Sequence, residues 1–275
     1  MIAGQVPNPS TLTPHGRALG WERLVNVHAA WEAERTVSSH NRDPFMTMPV
    51  SGGVEAVIFD VGGVLVESPF AAALRWGARW DLPMEAFEIL YAEYSAVPGL
   101  GDAIPLWHQV ETGSARLQDF LEVVQAQFVE VLPSDHPGLS LTADDFNPFA
   151  EASLHPEMVD CARALSDSGR VVSILTNNVH EWRQWRQLVP IDLFVDVVDS
   201  CEVGLRKPDP AIYRLACERA RISPERALFV DDHAANVEAA RALGLGGLHV
   251  GEDLVPAVEA LMLVAGSSVP DRLPS

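Results

Sequence analysis

The chain has 275 residues and is strongly acidic, with 38 acidic against 19 basic side chains and a formal net charge of −19. Such a charge repels nucleic acids and anionic membrane surfaces. No apolar run approaches the ~20 residues that a membrane-spanning helix needs. Hydrophobic residues make up 48% of the chain, which is enough for a substantial core. The composition predicts a globular protein with neither a nucleic-acid nor a membrane partner.

The three cysteines, Cys161, Cys201 and Cys217, are too few and too scattered for a disulfide framework or a zinc site. The N-terminus has no basic region followed by an apolar stretch, so a secretory signal is not expected. Both observations favour a reduced, cytoplasmic protein. Its oligomeric state is left open between a monomer and a homodimer.

Residues 1–53 are predicted to be an N-terminal arm or extension that is partly disordered. Prolines and a glycine are frequent there, which is typical of a loose segment. Apolar residues at helical spacing predict one short helix within 21–35. At the other end, residues 266–275 are expected to form a C-terminal tail.

From residue 55 onward, short apolar runs alternate with helix-like stretches. Parallel strands that are buried on both faces read as continuous apolar runs of this kind. The alternation predicts an α/β core, 54–67 and 153–265, built as a doubly wound, Rossmann-like parallel sheet with helices on both faces. The expected strands are 56–59, 171–175, 194–198, 227–230 and 247–250.

Residues 68–152 interrupt this alternation immediately after the first expected strand. Apolar residues between Leu117 and Val131 recur at helical spacing over about four turns. The stretches 71–80 and 84–94 also have helical patterns. The segment is therefore predicted to be an α-helical cap inserted into the core.

Polar residues follow the expected strands at the points where they end. They are Asp60, the run 176–178 (TNN), and the Asp231-Asp232 pair, with Lys207 just beyond the third core strand. The carboxyl ends of the strands in an open α/β sheet meet at one crevice, so these side chains are expected to lie together. Lys207 is the sole lysine of the chain, and its compact ammonium suits a site shared by carboxylates and a phosphoryl oxygen.

Four segments resemble the motifs of the haloacid dehalogenase superfamily. The resemblance covers roughly residues 55–250. Within the superfamily, the chain most resembles the N-terminal phosphatase domain of soluble epoxide hydrolases and its bacterial relatives. The order and spacing of the motifs match, as does a helical cap after the first motif. The segments are 59–64 (FDVGGV), 174–178 (ILTNN), 204–213 (GLRKPDPAIY) and 229–236 (FVDDHAAN).

The resemblance implies a phosphatase that hydrolyses a small phosphorylated metabolite. Asp60 would be the nucleophile and form an aspartyl-phosphate that water hydrolyses. Thr176 and Lys207 would be catalytic, and Asn177 would join them in binding the phosphate. Lys207 would neutralise the carboxylates and the charge that develops on the phosphoryl group.

The resemblance also implies a bound Mg²⁺, which prefers oxygen ligands. Its ligands would be the carboxylates of Asp60, Asp231 and Asp232, with Asp231 acting directly or through a water, and the backbone carbonyl of Gly62. Asn236, four residues after Asp232, would orient those ligands. The metal would also let a nucleophilic carboxylate approach an anionic phosphate in an acidic protein.

Gly62 departs from the pattern of most phosphatases in the superfamily, which carry there a second Asp that acts as general acid and base. Such a group contributes about 10²–10⁴-fold to the rate. Three interpretations stay open. The substrate has a good leaving group, such as an acyl phosphate or a sugar 1-phosphate; His108 or His180 supplies the proton; or hydrolysis is weak or lost.

Two alternatives to a phosphatase remain. A 2-haloacid dehalogenase also lacks the second Asp and uses no metal, but the Asp231-Asp232 pair beside a nucleophilic carboxylate would need a cation. A catalytically weak binding or regulatory protein of the same superfamily is the other. The joint presence of Asp60, Thr176, Lys207 and Asp232 argues against it.

Overall fold

The computed structural model of the protein describes residues 46–47, 53–96 and 103–267. The expected helix within 21–35 and nearly all of the expected arm lie outside these residues. Only the first two residues of the expected C-terminal tail lie within them. Within the described ranges, no helix has the length and apolar character to cross a membrane.

The core is a six-stranded sheet with the strand order β1-β6-β5-β2-β3-β4. Strands β2 to β6 pair in parallel, which confirms the predicted α/β sheet. The short strand β1 was not predicted and pairs antiparallel with β6 at one edge. The strands are β1 (Met46–Thr47), β2 (Ala56–Phe59), β3 (Val171–Thr176), β4 (Val197–Asp199), β5 (Ala227–Asp231) and β6 (Gly246–His249).

The strand predicted over 194–198 starts three residues too early. Phe194 donates its N–H to the carbonyl of Ile191 and so closes a 3₁₀ turn, and β4 begins only at Val197. Val195 is 62% exposed, so the apolar run does not all belong to the buried sheet. The apolar pattern located the strand but not its first residue.

Helices cover both faces of the sheet, as the doubly wound prediction requires. Successive residues of β2 point to opposite faces: Val57 and Phe59 join one hydrophobic cluster, and Ala56 and Ile58 join the other. The helices are α1 (Pro69–Arg79), α2 (Met84–Tyr94), α3 (Leu106–Glu111), α4 (Leu117–Phe128), α5 (Pro156–Asp167), α6 (Trp185–Leu188), α7 (Ser200–Val203), α8 (Pro210–Ala220), α9 (Ala234–Ala242) and α10 (Val255–Ala265).

Helices α1 to α4 follow β2 and lie within 68–152, the segment for which the sequence predicts a helical cap; the bounds of that cap stay a prediction. The two chain segments that join this cap to the core run side by side, and the N–H of Glu67 donates to the carbonyl of Ser153 at 2.8 Å. Aromatic rings bridge cap and core, since Trp107 of α3 and Trp182 of the core lie with ring centroids 5.5 Å apart. This contact holds the cap beside the carboxyl ends of the strands.

Candidate active site

The register of the sheet brings the strand-end residues together. Phe59 of β2 pairs with Val230 of β5, so the next residues, Asp60 and Asp231, lie side by side. The N–H of Asp60 donates to the Val230 carbonyl at 2.9 Å and fixes this alignment. Thr176 ends the neighbouring strand β3 at the same edge. Parallel pairing therefore assembles the site from residues that are far apart in the chain.

Lys207 occupies the centre of this cluster. Its Nζ lies 2.8 Å from Oδ1 of Asp60 and 2.7 Å from Oδ2 of Asp231, and the side chain is 1% exposed. The ammonium also lies 5.5 Å from the centroid of the Phe229 ring. The lysine that the sequence singled out thus forms a buried double ion pair with the candidate nucleophile and one candidate metal ligand.

The side-chain amide of Asn177 holds the backbone of Lys207 from both sides. Its Nδ2 donates to the Lys207 carbonyl at 3.0 Å, and its Oδ1 accepts from the Lys207 N–H at 2.8 Å. The sequence assigned this residue to phosphate binding. In the structure its amide group positions Lys207, and its role in phosphate binding stays a prediction. Thr176 is buried, and its hydroxyl makes only a long contact of 3.4 Å with the carbonyl of Asn177.

Asp231 is fully buried and well supplied with hydrogen-bond donors. Besides Lys207, the N–H of His233 donates to its Oδ1 at 2.7 Å, and Nδ2 of Asn236 lies 3.1 Å from the same oxygen. Asn236 is held in turn by α8, because the Tyr213 hydroxyl donates to its carbonyl at 2.9 Å. Asn236 therefore orients Asp231, next to the expected metal site.

The three carboxylates of the cluster fit a divalent cation. One oxygen from each of Asp60, Asp231 and Asp232 lies within 4.8 Å of the others, and all three residues are buried. Lys207 supplies one positive charge to this cluster of three carboxylates. Buried charges need compensation, and carboxylate oxygens are the ligands that Mg²⁺ prefers. Gly63 allows this close packing, because it has a φ of +71° and any Cβ there would overlap the Asp232 carboxylate.

The electrostatics of the cluster follow from its burial. Burial raises the pKa of Asp60 well above its usual value; the charge of Lys207 acts to lower it, and those of Asp231 and Asp232 raise it further. For Lys207, burial acts to lower the pKa, but the two carboxylates that contact it outweigh burial and raise it. The lysine is therefore charged at neutral pH, whereas full ionisation of Asp60 calls for additional positive charge.

Gly62 lies where no side chain fits. A Cβ at this position would be 2.8 Å from Cδ and Cγ of Pro69, the first residue of α1, and 3.7 Å from Cζ of Phe149. The cap thus closes the position at which most phosphatases of the superfamily carry their second Asp. The glycine follows from close packing of the cap, and the three interpretations of the missing Asp stay open.

Gly62→Ala is expected to destabilise the protein by about 1–3 kcal/mol, because the added methyl group overpacks the contact with Pro69. Chemical denaturation compared with wild type measures this change. Gly251→Ala is the matched control, since a Cβ there meets nothing within 4 Å. Gly62→Asp is expected to lower activity rather than raise it. A gain in turnover from that variant would show that the position is open.

The two histidines considered as proton donors differ in their surroundings. His108 of α3 is half-buried, and burial together with the charge of Arg206 lowers its pKa to about 4. It is therefore neutral at pH 7 and can accept a proton more readily than donate one. His180 is exposed beside Arg183 and the Gly113 turn. Within the described residues, neither ring hydrogen-bonds to Asp60.

His108 is expected to make stability depend on pH. Its folded-state pKa lies below the unfolded value of 6.5, so the unfolded chain binds the proton more tightly. Wild type should therefore lose stability as the pH falls from 6.5 to about 4, and His108→Gln should lose less. Urea unfolding across this range measures the difference between the two proteins. Parallel curves for both would contradict the assigned pKa.

Sequence reasoning missed a contact between cap and core next to this cluster. Nε of Arg206 donates to Oε2 of Glu111, at the end of α3, at 2.6 Å. The backbone carbonyl of Glu111 also accepts from Oγ of Ser200 at 2.6 Å. Glu111 and Arg206 are 95 residues apart, and no local pattern pairs them.

The motifs, the sheet and the cap define the class of protein. The family model of the haloacid dehalogenase-like hydrolases matches residues 54–244. The chain therefore belongs to the haloacid dehalogenase-like hydrolase family.

Several known proteins are similar to the chain. Acyl-CoA dehydrogenase family member 10 of Mus musculus is 32% identical over 77% of this chain and 20% of its own length. Bifunctional epoxide hydrolase 2 of Rattus norvegicus is 29% identical over 44% of this chain and 23% of its own. The chain thus spans about a fifth of each of these relatives. The sesquiterpene phosphatase astK of Aspergillus oryzae is 28% identical over 76% of this chain and 96% of its own.

Among solved structures, a family enzyme from Bacteroides thetaiotaomicron in complex with magnesium and inorganic phosphate superposes with a TM-score of 0.52. It is 20% identical, and the match covers 74% of this chain and 99% of that one. The likeness supports the fold described above.

Proposed function

We propose that the protein is a Mg²⁺-dependent phosphatase that hydrolyses a small phosphorylated metabolite through an aspartyl-phosphate on Asp60. One observation carries the proposal. Lys207 bridges Asp60 and Asp231 in a buried cluster that also contains Asp232, so three carboxylates and one ammonium lie together. Such a cluster suits a divalent cation and the phosphoryl group that it would help to bind.

Each side chain of the cluster has a separate role in the proposed reaction. The Asp60 carboxylate attacks phosphorus as the P–O bond to the leaving group breaks, and that group departs as its oxyanion, which takes a proton from water. A second water then hydrolyses the acyl phosphate, which releases phosphate and regenerates the Asp60 carboxylate. Lys207 stabilises the negative charge that develops on the phosphoryl oxygens. Asn177 and Asn236 hold Lys207 and Asp231 in place. A bound Mg²⁺ would lower the repulsion between the phosphate and the carboxylates.

The carboxylates differ in their availability to a metal. Asp60 and Asp232 are slightly exposed, whereas Asp231 is fully buried and occupied by Lys207, Asn236 and a backbone N–H. Asp60 and Asp232 are therefore the proposed direct ligands, together with the Gly62 carbonyl. Asp231 would contribute its charge and orient Lys207.

The absence of a carboxylate at Gly62 affects which substrates the protein can hydrolyse. Without a carboxylate there, substrates whose leaving group needs little protonation are favoured, such as acyl phosphates and sugar 1-phosphates. One relative is named a sesquiterpene phosphatase, so a terpene phosphate is a further substrate class to assay. Residues of the cap would select among these substrates.

The test is release of inorganic phosphate from p-nitrophenyl phosphate and from these substrate classes, with Mg²⁺ or with EDTA. We expect turnover that requires Mg²⁺. Chloride release from 2-chloropropionate without metal, and no phosphate release, would instead assign a dehalogenase. Metal binding without turnover of either substrate would assign a binding or regulatory protein. Its cytoplasmic location, and its state as a monomer or homodimer, stay predictions.

A further inference from the structure

Arg206 directly precedes Lys207, yet it has no role in the chemistry proposed above. Its side chain is 23% exposed, and Nε donates to Glu111 at 2.6 Å. In the described part of the chain, its Nη1 and Nη2 have no hydrogen-bond partner. A guanidinium held by one edge presents its remaining two nitrogens as a rigid fork, the geometry that binds a carboxylate or phosphate in a bidentate manner.

Arg206 lies where the cap meets the carboxyl ends of the strands. Nε of Arg206 contacts Glu111 of α3, and the carbonyl of Glu111 accepts from Oγ of Ser200. The same Oγ accepts from the N–H of Asn178, two residues after Thr176 at the end of β3. These bonds place the guanidinium beside the strand ends that carry the site.

The charge of Arg206 also acts on two cap residues. It lowers the pKa of His108 and opposes the rise, caused mainly by burial, in the pKa of Tyr94.

The attachment of the cap to the core does not by itself explain why position 206 carries an arginine. The backbone of Glu111 is already tied to the core by Ser200, independently of Arg206. The side chain of Glu111 instead orients the guanidinium. The local cluster of carboxylates is also rich in negative charge, so a second anion on a substrate would need a cation of its own nearby.

We propose that Arg206 is a specificity-determining residue that binds a second anionic group of the substrate through Nη1 and Nη2. The substrate class is then phosphomonoesters that carry a carboxylate or a second phosphate. This inference rests on the proposed phosphatase function and narrows its substrates.

The test uses pairs of substrates that differ only in the second anion. Sugar 1-phosphates that carry a carboxylate or a second phosphate at another carbon are each compared with the sugar 1-phosphate that lacks that group. Wild type should show a higher kcat/KM for the member with the second anionic group in at least one pair. The carboxylate and bisphosphate arms separate the two sources of charge.

The variant of choice is Arg206→Gln with Glu111→Gln, because removing the arginine alone would leave Glu111 buried without a counter-charge. In this double variant the ratio of kcat/KM values with and without the second anionic group should fall by about 10- to 100-fold, mainly through KM. Arg219→Gln, on the surface, is the matched control and should keep the preference. Glu111→Gln alone should keep most of it.

Three results would overturn the inference. The first is that wild type has no preference for the second anionic group, and the second is that the double variant keeps that preference. The third is that Glu111→Gln loses the preference as fully as the double variant, which would indicate a structural role. Failure of wild type to hydrolyse p-nitrophenyl phosphate would overturn the proposed function, and the inference with it.

Discussion

Asp60→Asn is expected to reduce phosphatase turnover by about 10⁴-fold or more while leaving the fold intact. An amide has no nucleophilic oxygen comparable to a carboxylate, so the covalent step is lost. Binding interactions remain, which is why KM should change far less than kcat. Hydrolysis of p-nitrophenyl phosphate with Mg²⁺ measures the loss, and mass spectrometry of quenched wild type should detect a phosphorylated enzyme that the variant lacks.

The same substitution should be neutral or stabilising in the absence of metal. Burial and the neighbouring carboxylates disfavour ionised Asp60, and a neutral side chain of the same shape removes that repulsion. Thermal unfolding in EDTA measures this effect. Asp167→Asn, an exposed position at the end of α5, is the control for both assays. Near-normal activity of Asp60→Asn would refute the nucleophile assignment.

Lys207→Met should destabilise the metal-free protein by about 3–5 kcal/mol and abolish turnover. The ammonium is the buried counter-charge of Asp60 and Asp231, and breaking a buried ion pair from one side leaves charge without compensation. Methionine fills much of the same space without charge. Mg²⁺ should recover part of the lost stability, because it supplies positive charge to the same carboxylates.

The destabilisation should depend on pH in a defined direction. The folded-state pKa of Asp60 is raised, so its contribution to stability is present below its unfolded value and is lost as pH rises through the folded pKa. Without Lys207, that pKa rises further. The variant should therefore be closest to wild type in acid and most impaired at neutral pH.

Denaturant unfolding at several pH values, in EDTA and in Mg²⁺, tests this expectation. Arg163→Met, which removes an exposed cation from α5, is the control and should have little effect at any pH. An equally small effect of Lys207→Met would mean that the ion pairs contribute no net stability. Retained turnover would remove Lys207 from the catalytic machinery.

Much of the fold was predictable because it depends on local patterns. Short apolar runs that alternate with helical periodicity predicted the parallel sheet and the inserted cap, and the structure confirms the α/β class. Boundaries were harder: β4 begins at Val197 because the preceding residues form a turn. The pairing of Met46–Thr47 with β6 depends on a partner some 200 residues away.

The chemical core of the site was also encoded in the sequence. Asp60 and the Asp231-Asp232 pair lie at the ends of neighbouring parallel strands, so their proximity follows from register, and Lys207 reaches them from the segment after β4. A single lysine among arginines marked the central cation. The type of each of these residues and its position relative to a strand made this part of the site predictable.

Other features were decided only by the tertiary structure. Asn177 faces the backbone of Lys207, Gly62 is closed by Pro69, and Arg206 meets Glu111 across the boundary between cap and core. Each depends on how a loop or the cap packs against the sheet. A sequence pattern reports the periodicity and chemistry of one segment, whereas contacts between distant segments arise only when the chain has folded.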